Sequence, residues 1–341
     1  MTTDLITRRD LLRLGSAGMA AILIGCSSND ADAPTTSSSV AGTPAPTTAA
    51  GSSTTTTASA TPTRIIDLDS YVFDLAAIGR PPLANVYGPE LLSEVLVLAP
   101  LTEEERASIA DGANAAPGFV LNIEEVLALE PDLIMSSPAS NAFYGEALTQ
   151  LGSQVEVVTV PDDLDWRDRS RTVASLVGLD GELDERIAEA DAAIAALGER
   201  VTELRLEGTE VSLLTVGFGM VNAVNPPSIG STLLAEIGLT QPAAQLVDQP
   251  ASSIFPDYAA QTALSLELLG EHDAAAAIVG NGSDPTSVTA ELPEGVVIGQ
   301  IPVLRDGPAI ATLAFYWGLN SVIGVERMVI DLDRLLDEIG G

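Results

Sequence analysis

Between Leu183 and Leu204 the apolar positions Leu183, Ile187, Ala190, Ile194, Leu197, Val201 and Leu204 recur at alternating intervals of four and three residues. That period holds them on one narrow helix face and leaves Glu185, Glu189, Asp191, Glu199, Arg200 and Glu203 to water. At 1.5 Å per residue the helix is about 33 Å long, the width of a small domain. Gly178 and Gly181 part it from a shorter helix beginning near Trp166, and Gly208 stops it. A coiled-coil segment would share this spacing, but the pattern lasts about three heptads and has no partner of similar length. On either side, short apolar runs alternate with helical stretches. Before the rod, residues 64–69, 83–87, 132–135 and 154–160 read as strands; 71–78, 89–98, 102–110 and a stretch closing at 148–152 read as helices. After it, 210–216, 273–280 and 309–313 read as strands, and 228–237 and 320–339 as helices. This rhythm predicts an α/β fold: two lobes with central, mainly parallel sheets joined by one long rigid helix, with boundaries at 64–162, 163–206 and 207–341.

The first 63 residues follow a different pattern. Thr7-Arg8-Arg9-Asp10-Leu11-Leu12-Arg13 has the paired arginines and leucines of a twin-arginine export signal. The apolar run 19–24 that follows is far too short to span a bilayer. It ends in Leu23-Ile24-Gly25-Cys26, which resembles a bacterial lipobox whose cysteine thiol accepts diacylglycerol. Residues 1–25 are thus expected to be a lipoprotein signal peptide and Cys26 the lipidated residue. Residues 27–63 are Ser, Thr, Ala, Pro and Gly with little of apolar size, so 26–63 is expected to be a disordered tether. Its root-mean-square reach is about 35 Å. The expected location is extracytoplasmic, lipid-anchored to the cell membrane.

Charge removes several function classes. Fifteen arginines, 48 acidic residues and no lysine give a net charge of −33, which repels nucleic acid. Cys26 is the single cysteine and His272 the single histidine, so neither an intrachain disulfide nor a multi-histidine metal site can form. No Gly-x-Ser-x-Gly elbow occurs, and His272, between Glu271 and Asp273, reads as an ordinary surface histidine. Acidic pairs such as Asp162-Asp163 are too common here to signal glycosidase chemistry. The chain is expected not to be an enzyme and to hold no intrinsic cofactor or metal.

The most informative run is Asn122-Ile-Glu124-Glu-Val-Leu-Ala-Leu-Glu-Pro131-Asp-Leu-Ile. Asn122 as N-cap with Glu125 at N3 predicts a capping box, and Pro131 ends the helix before a buried strand. This run resembles the signature helix and strand of the periplasmic binding proteins that serve ABC importers for ferric siderophores and cobalamin. The Gly/Ser-rich turn opening at Ser228, Ala243 to Gln245, and Leu264-Ser265-Leu266-Glu267 are similar to further segments of that family, as is 301–307 before the last strand. The resemblance spans roughly residues 64–339. It implies two α/β lobes joined by one long helix, a ferric siderophore as cargo, with cobalamin or haem as the alternatives, and an ABC permease with its ATPase as partner. It also implies that Glu124 and Glu267, one on each lobe, dock on permease arginines, with Ser265 capping a short helix that bears Glu267. Ferric iron would be carried as a chelate, by a chain acting as a monomer.

Ligands of parallel α/β sheets bind beyond the carboxyl ends of strands. The loops expected there carry Ser70 and Tyr71, Tyr87, residues 136–144 with Tyr144, Phe218 and Met220, Asn281, and 315–317. Tyr and Trp offer flat amphipathic walls to a chelate. Three adjacent aromatics on a loop cannot all point inward, so Tyr316 and Trp317 are expected to face the cleft. Arg80 and Arg305 are the cations expected near it, since a ferric chelate is often anionic and guanidinium binds such oxygens with a planar fork. The expected ligand set is therefore Tyr71, Arg80, Tyr87, Tyr144, Phe218, Arg305, Tyr316 and Trp317.

Overall fold

Residues 65–67 and 133–136 are apolar enough to be covered on both faces, as strands of a helix-flanked parallel sheet must be. In the computed structural model, which describes residues 61–340 other than 218–219, 248–260, 266, 294–295 and 297–299, they are neighbouring strands of a five-stranded sheet. It comprises β1 (Ile65–Asp67), β2 (Ala84–Asn85), β3 (Ala113–Asn114), β4 (Leu133–Ser136) and β5 (Glu156–Thr159). The order is β3-β2-β1-β4-β5 and every pair is parallel. Helices α1 (Val72–Ala77), α2 (Gly88–Val95), α3 (Glu103–Ala110), α4 (Ile123–Ala128) and α5 (Pro138–Leu151) lie between these strands. Asn122 Oδ1 accepts from the amides of Glu124 and Glu125, a one-sided cap. The reciprocal capping box forms instead at Thr102 and Glu105.

A second sheet holds β6 (Val211–Gly217), β7 (Met220–Val224), β8 (Gln261–Ala263), β9 (Ala276–Asn281) and β10 (Ala309–Leu313), ordered β10-β9-β6-β7-β8. The β10-β9-β6 core is parallel, and β7 and β8 add an antiparallel flank. Between the sheets run α6 (Trp166–Leu176) and α7 (Asp184–Glu203). The α7 stripe Ile187, Ala190, Ile194, Leu197 and Val201 is buried, as its spacing predicts. Helices α8 (Ile229–Glu236), α9 (Pro302–Asp306), α10 (Ala314–Gly318) and α11 (Val322–Gly340) complete the described body. Ion pairs from Arg186 to Glu326 and from Arg200 to Asp333 and Asp337 tie α7 to α11.

One hydrophobic core crosses the whole body. It joins Phe73 and Leu92 near the first sheet to Trp166 and Ile194 on the connecting helices, and to Leu213, Ile278, Tyr316 and Met328 around the second. The described residues accordingly form one compact unit. The expected tether runs a few residues too far: the Thr63 amide already donates to Asp132 at 2.9 Å.

Candidate functional site

Parallel strands deliver their carboxyl ends to one edge, and an open sheet opens a crevice there where the strand order reverses. In the first sheet that place lies between β1 and β4. Asp67, buried at the end of β1, accepts from the Asp69 amide (2.9 Å) and the Val72 amide (2.7 Å), so it shapes the turn and starts α1. Asp69 then receives Ser70 Oγ at 3.0 Å and Arg169 Nη2 at 3.3 Å. Ser140 Oγ, from the first turn of α5, lies 2.5 Å from the Leu68 carbonyl and 3.3 Å from Asp69. Arg169 reaches this cluster from α6 and is 1% exposed, its guanidinium 4.8 Å over the Tyr71 ring. On α5, Phe143 is 47% exposed and meets Tyr144 edge to face at 4.9 Å. Burial, with the charge of Asp69, pushes the Tyr144 hydroxyl up to about 12. The result is a polar floor beside an open aromatic step.

At the same edge of the second sheet, Asn281 ends β9 and donates to the carbonyls of Asp284 and Ser287, both at 2.7 Å. The Glu291 carboxylate accepts the amides of Gly282 (2.8 Å), Ser283 (2.7 Å) and Asp284 (3.0 Å), and also Ser283 Oγ (2.7 Å). Successive amides converging on one acceptor form an anion nest, here filled by the chain's own side chain. Hydrogen bonds from Thr286 hold the Asp284 carboxyl below its ordinary value. The two edges meet. Tyr87, after β2, packs against Phe315, after β10, with ring centroids 5.4 Å apart. Asn320 Nδ2 donates to the Leu164 carbonyl at 3.0 Å across the same junction.

That junction corrects several expectations. Phe315, Tyr316 and Trp317 stand on a helical turn, α10, and all three are buried. A helical turn spreads successive side chains to different sides, and here each side has its own partner. Phe315 meets Phe73 and Tyr87, and Tyr316 donates to the Val95 carbonyl at 2.5 Å. Trp317 Nε1 donates to Asp331 at 3.2 Å, while its ring lies where a side chain at Gly230 would stand. Tyr71 is likewise buried, its hydroxyl 3.3 Å from the Ser136 carbonyl. Tyr87 is half-buried against Phe315. Tyr144 sits within α5, where a loop was expected, and is half-buried.

Both expected cations stand at the wrong edge. Arg80 lies on the segment entering β2, and Arg305 is exposed beside Asp306 (2.6 Å) on the segment entering β10. Each is thus at the amino ends of its sheet. Glu124, at N2 of α4, is exposed, and so is Glu267. Glu267 lies in a turn; the short helix expected there is a 3₁₀ turn over Leu269–His272, without a side-chain cap from Ser265. His272 is buried, which lowers its pKa against the opposing effect of Glu271. Phe218, Cys26, Arg8 and Arg9 lie outside the described residues. A hollow of about 450 Å³ lined by Arg167, Asp191, Ile194 and Glu236 lies along the connecting helices. Among the described residues no acidic, His or Cys cluster could hold a metal, and no helix is long and apolar enough to cross a membrane.

Local pattern points to neither Asp69 and Arg169 nor the Glu291 nest, and within 136–144 it does not single out Ser140. The polar break Asp67-Leu-Asp69-Ser70 directly after a buried strand was the available signal, and its meaning depends on strand order.

Comparison with known proteins places this arrangement. Residues 101–234 match the family model described as periplasmic binding protein. No curated protein matches the chain by sequence. The siderophore periplasmic binding protein from the fuscachelin gene cluster of Thermobifida fusca superposes with a TM-score of 0.59 at 18% identity, covering 82% of this chain and 98% of that one. SirA of Staphylococcus aureus gives 0.60 at 16% identity, covering 81% and 99%. FhuD2 of the same organism, with bound ferrioxamine B, gives 0.58 at 13%, covering 82% and 100%. The chain therefore has the fold of siderophore periplasmic binding proteins.

Proposed function

Taking the periplasmic-binding-protein match and fold as premise, we propose that this chain is the extracytoplasmic substrate-binding component of an ABC importer and carries a ferric siderophore. The observation that carries the reading is the meeting of two sheets, carboxyl edge to carboxyl edge, beside a single 20-residue connecting helix. Such an edge is where α/β folds bind small molecules. In this reading Phe143 and Tyr144 supply a flat apolar wall, and Asn141 supplies an amide N–H for chelate oxygens. Iron enters and leaves as the chelate, so the chain holds no resident metal and performs no chemical step. Cys26 carries the lipid, and the chain acts as a monomer beside the permease and its ATPase. Glu124 and Glu267, both exposed, dock on permease arginines.

Binding is tested by titrating the intrinsic fluorescence of Trp166 and Trp317 with ferric siderophores, cobalamin and haemin. Saturable quenching by a ferric chelate is expected. Response to cobalamin or haemin alone would change the cargo, and silence toward all would remove the reading. Docking is tested with Glu124→Arg and Glu267→Arg together: chelate affinity should hold while uptake through the cognate permease falls at least about tenfold. Undiminished uptake would end the docking assignment.

A further inference from the structure

We infer that the cargo is a neutral or cationic ferric chelate, of the hydroxamate class, and that polyanionic carboxylate and catecholate chelates are rejected. This rests on the siderophore-binding reading above and refines its substrate. There is no lysine, and the residues outside the description between 61 and 341 include no arginine or histidine. Every cation of the body can therefore be placed.

Arg64, Arg80, Arg205 and Arg305 lie on the segments entering β1, β2, β6 and β10, at the amino edges. Arg167, Arg171, Arg186 and Arg200 are on the connecting helices, each paired with two carboxylates. Arg327 and Arg334 both serve the buried Asp331, and Arg106 reaches the Ala99 carbonyl at 3.4 Å. His272 precedes β9, again at an amino edge. Arg169 stands at the carboxyl end of β1, buried and paired with Asp69; the charges of Arg106 and Arg327 reach the Tyr316 hydroxyl, which is turned to the Val95 carbonyl, and Arg327 is itself held by Asp331.

The same edges carry carboxylates: Asp69 after β1, Asp162 and Asp163 after β5, Asp284 and Glu291 after β9. The 282–284 nest, a backbone device that would receive an anion, is already occupied by Glu291. Asp248, Asp257 and Glu294, outside the description, add only negative charge to the chain. An anionic chelate would meet like charge without a counter-ion, which discriminates strongly against it. Three hydroxamates balance the charge of ferric iron and leave a neutral core. Catecholates and citrate-type carboxylates leave a net negative complex.

The full chain is titrated by fluorescence at low ionic strength with ferrioxamine B, ferrichrome, ferric staphyloferrin B and a ferric tris-catecholate. The two hydroxamate chelates are expected to bind at least about tenfold tighter than the two anions. In 1 M salt, where the screening length falls to about 3 Å, that gap should narrow. Neutralising two carboxylates outside the core, Asp163→Asn with Asp284→Asn, should narrow it as well. Tighter binding of staphyloferrin B or the catecholate would overturn the charge inference and leave siderophore binding intact. No saturable binding by any of the four would overturn both.

Discussion

Phe315-Tyr316-Trp317 and Phe143-Tyr144 both lie in the helix that follows a parallel strand, yet one group is sealed and the other open. The first turn is enclosed by α1, α2, α8 and α11, with Tyr316 at 0% exposure and every polar atom of its rings engaged. The second lies on a helix with one flank free, and Phe143 stands 47% exposed. Aromatic density therefore does not mark a binding surface; what stands on the far side of the turn decides. The triplet cements the joint between the sheets, and the pair stays open at the rim.

The largest expected effect tests the cement. Asp331 is fully buried and accepts from Thr312 Oγ1 (2.6 Å), Trp317 Nε1 and the guanidinium groups of Arg327 and Arg334. Asp331→Ala strips the buried Arg327 of its counter-charge and should cost about 3–5 kcal/mol in urea unfolding. A loss below about 1 kcal/mol would show that the sealed turn is not held this way.

A smaller, pH-dependent effect comes from the same joint. Asp74 of α1 is buried and accepts from Ser170 Oγ at 2.9 Å, and Ser170 in turn accepts from the Val322 amide at 3.0 Å. Burial pushes the Asp74 carboxyl from 3.8 up to about 7, against the lowering effects of Ser170, Arg169 and Arg186; Glu326 adds to the rise. Between those values the native chain keeps a proton that the unfolded chain has released. Stability from this group is thus complete below about pH 4 and is lost as pH rises through 7, by at most about 1.4 kcal/mol per pH unit. Asp74→Asn should remove that slope relative to the unmodified protein. Parallel pH profiles for the two would refute the assignment.

The smallest effect on stability belongs to the open pair. Phe143→Ala should change the unfolding free energy by no more than about 0.5 kcal/mol, yet weaken chelate binding about fivefold or more. A large stability loss with unchanged affinity would reverse the comparison.

The sequence pattern disclosed the α7 rod because seven apolar residues repeat a helical period, and it disclosed β1, β4, β9 and β10 because buried parallel strands read as continuous apolar runs. It did not disclose β3, which is two residues long, or β7, whose Met220 and Asn222 break the run because an antiparallel flank is covered unevenly. The site was less legible than the fold. Tyr144 and Tyr87 follow the carboxyl ends of their strands, as their order in the chain implies, but the Asp69–Arg169 pair joins residues 100 apart in sequence. Arg80 and Arg305 looked available because a sequence does not say which end of a strand a neighbouring residue will flank.

The unbroken core from Phe73 through Ile194 to Met328 also sets how the molecule yields to force. Parting the sheets means wetting that core, and each 100 Å² of apolar surface uncovered costs about 2.5 kcal/mol, roughly four times the thermal energy. Wide gaping is thereby confined to rare excursions, while rim side chains such as Phe143 move at little cost. Mechanically the body is a stiff spring whose restoring force is surface tension, and the work of spreading it must be supplied from outside the chain.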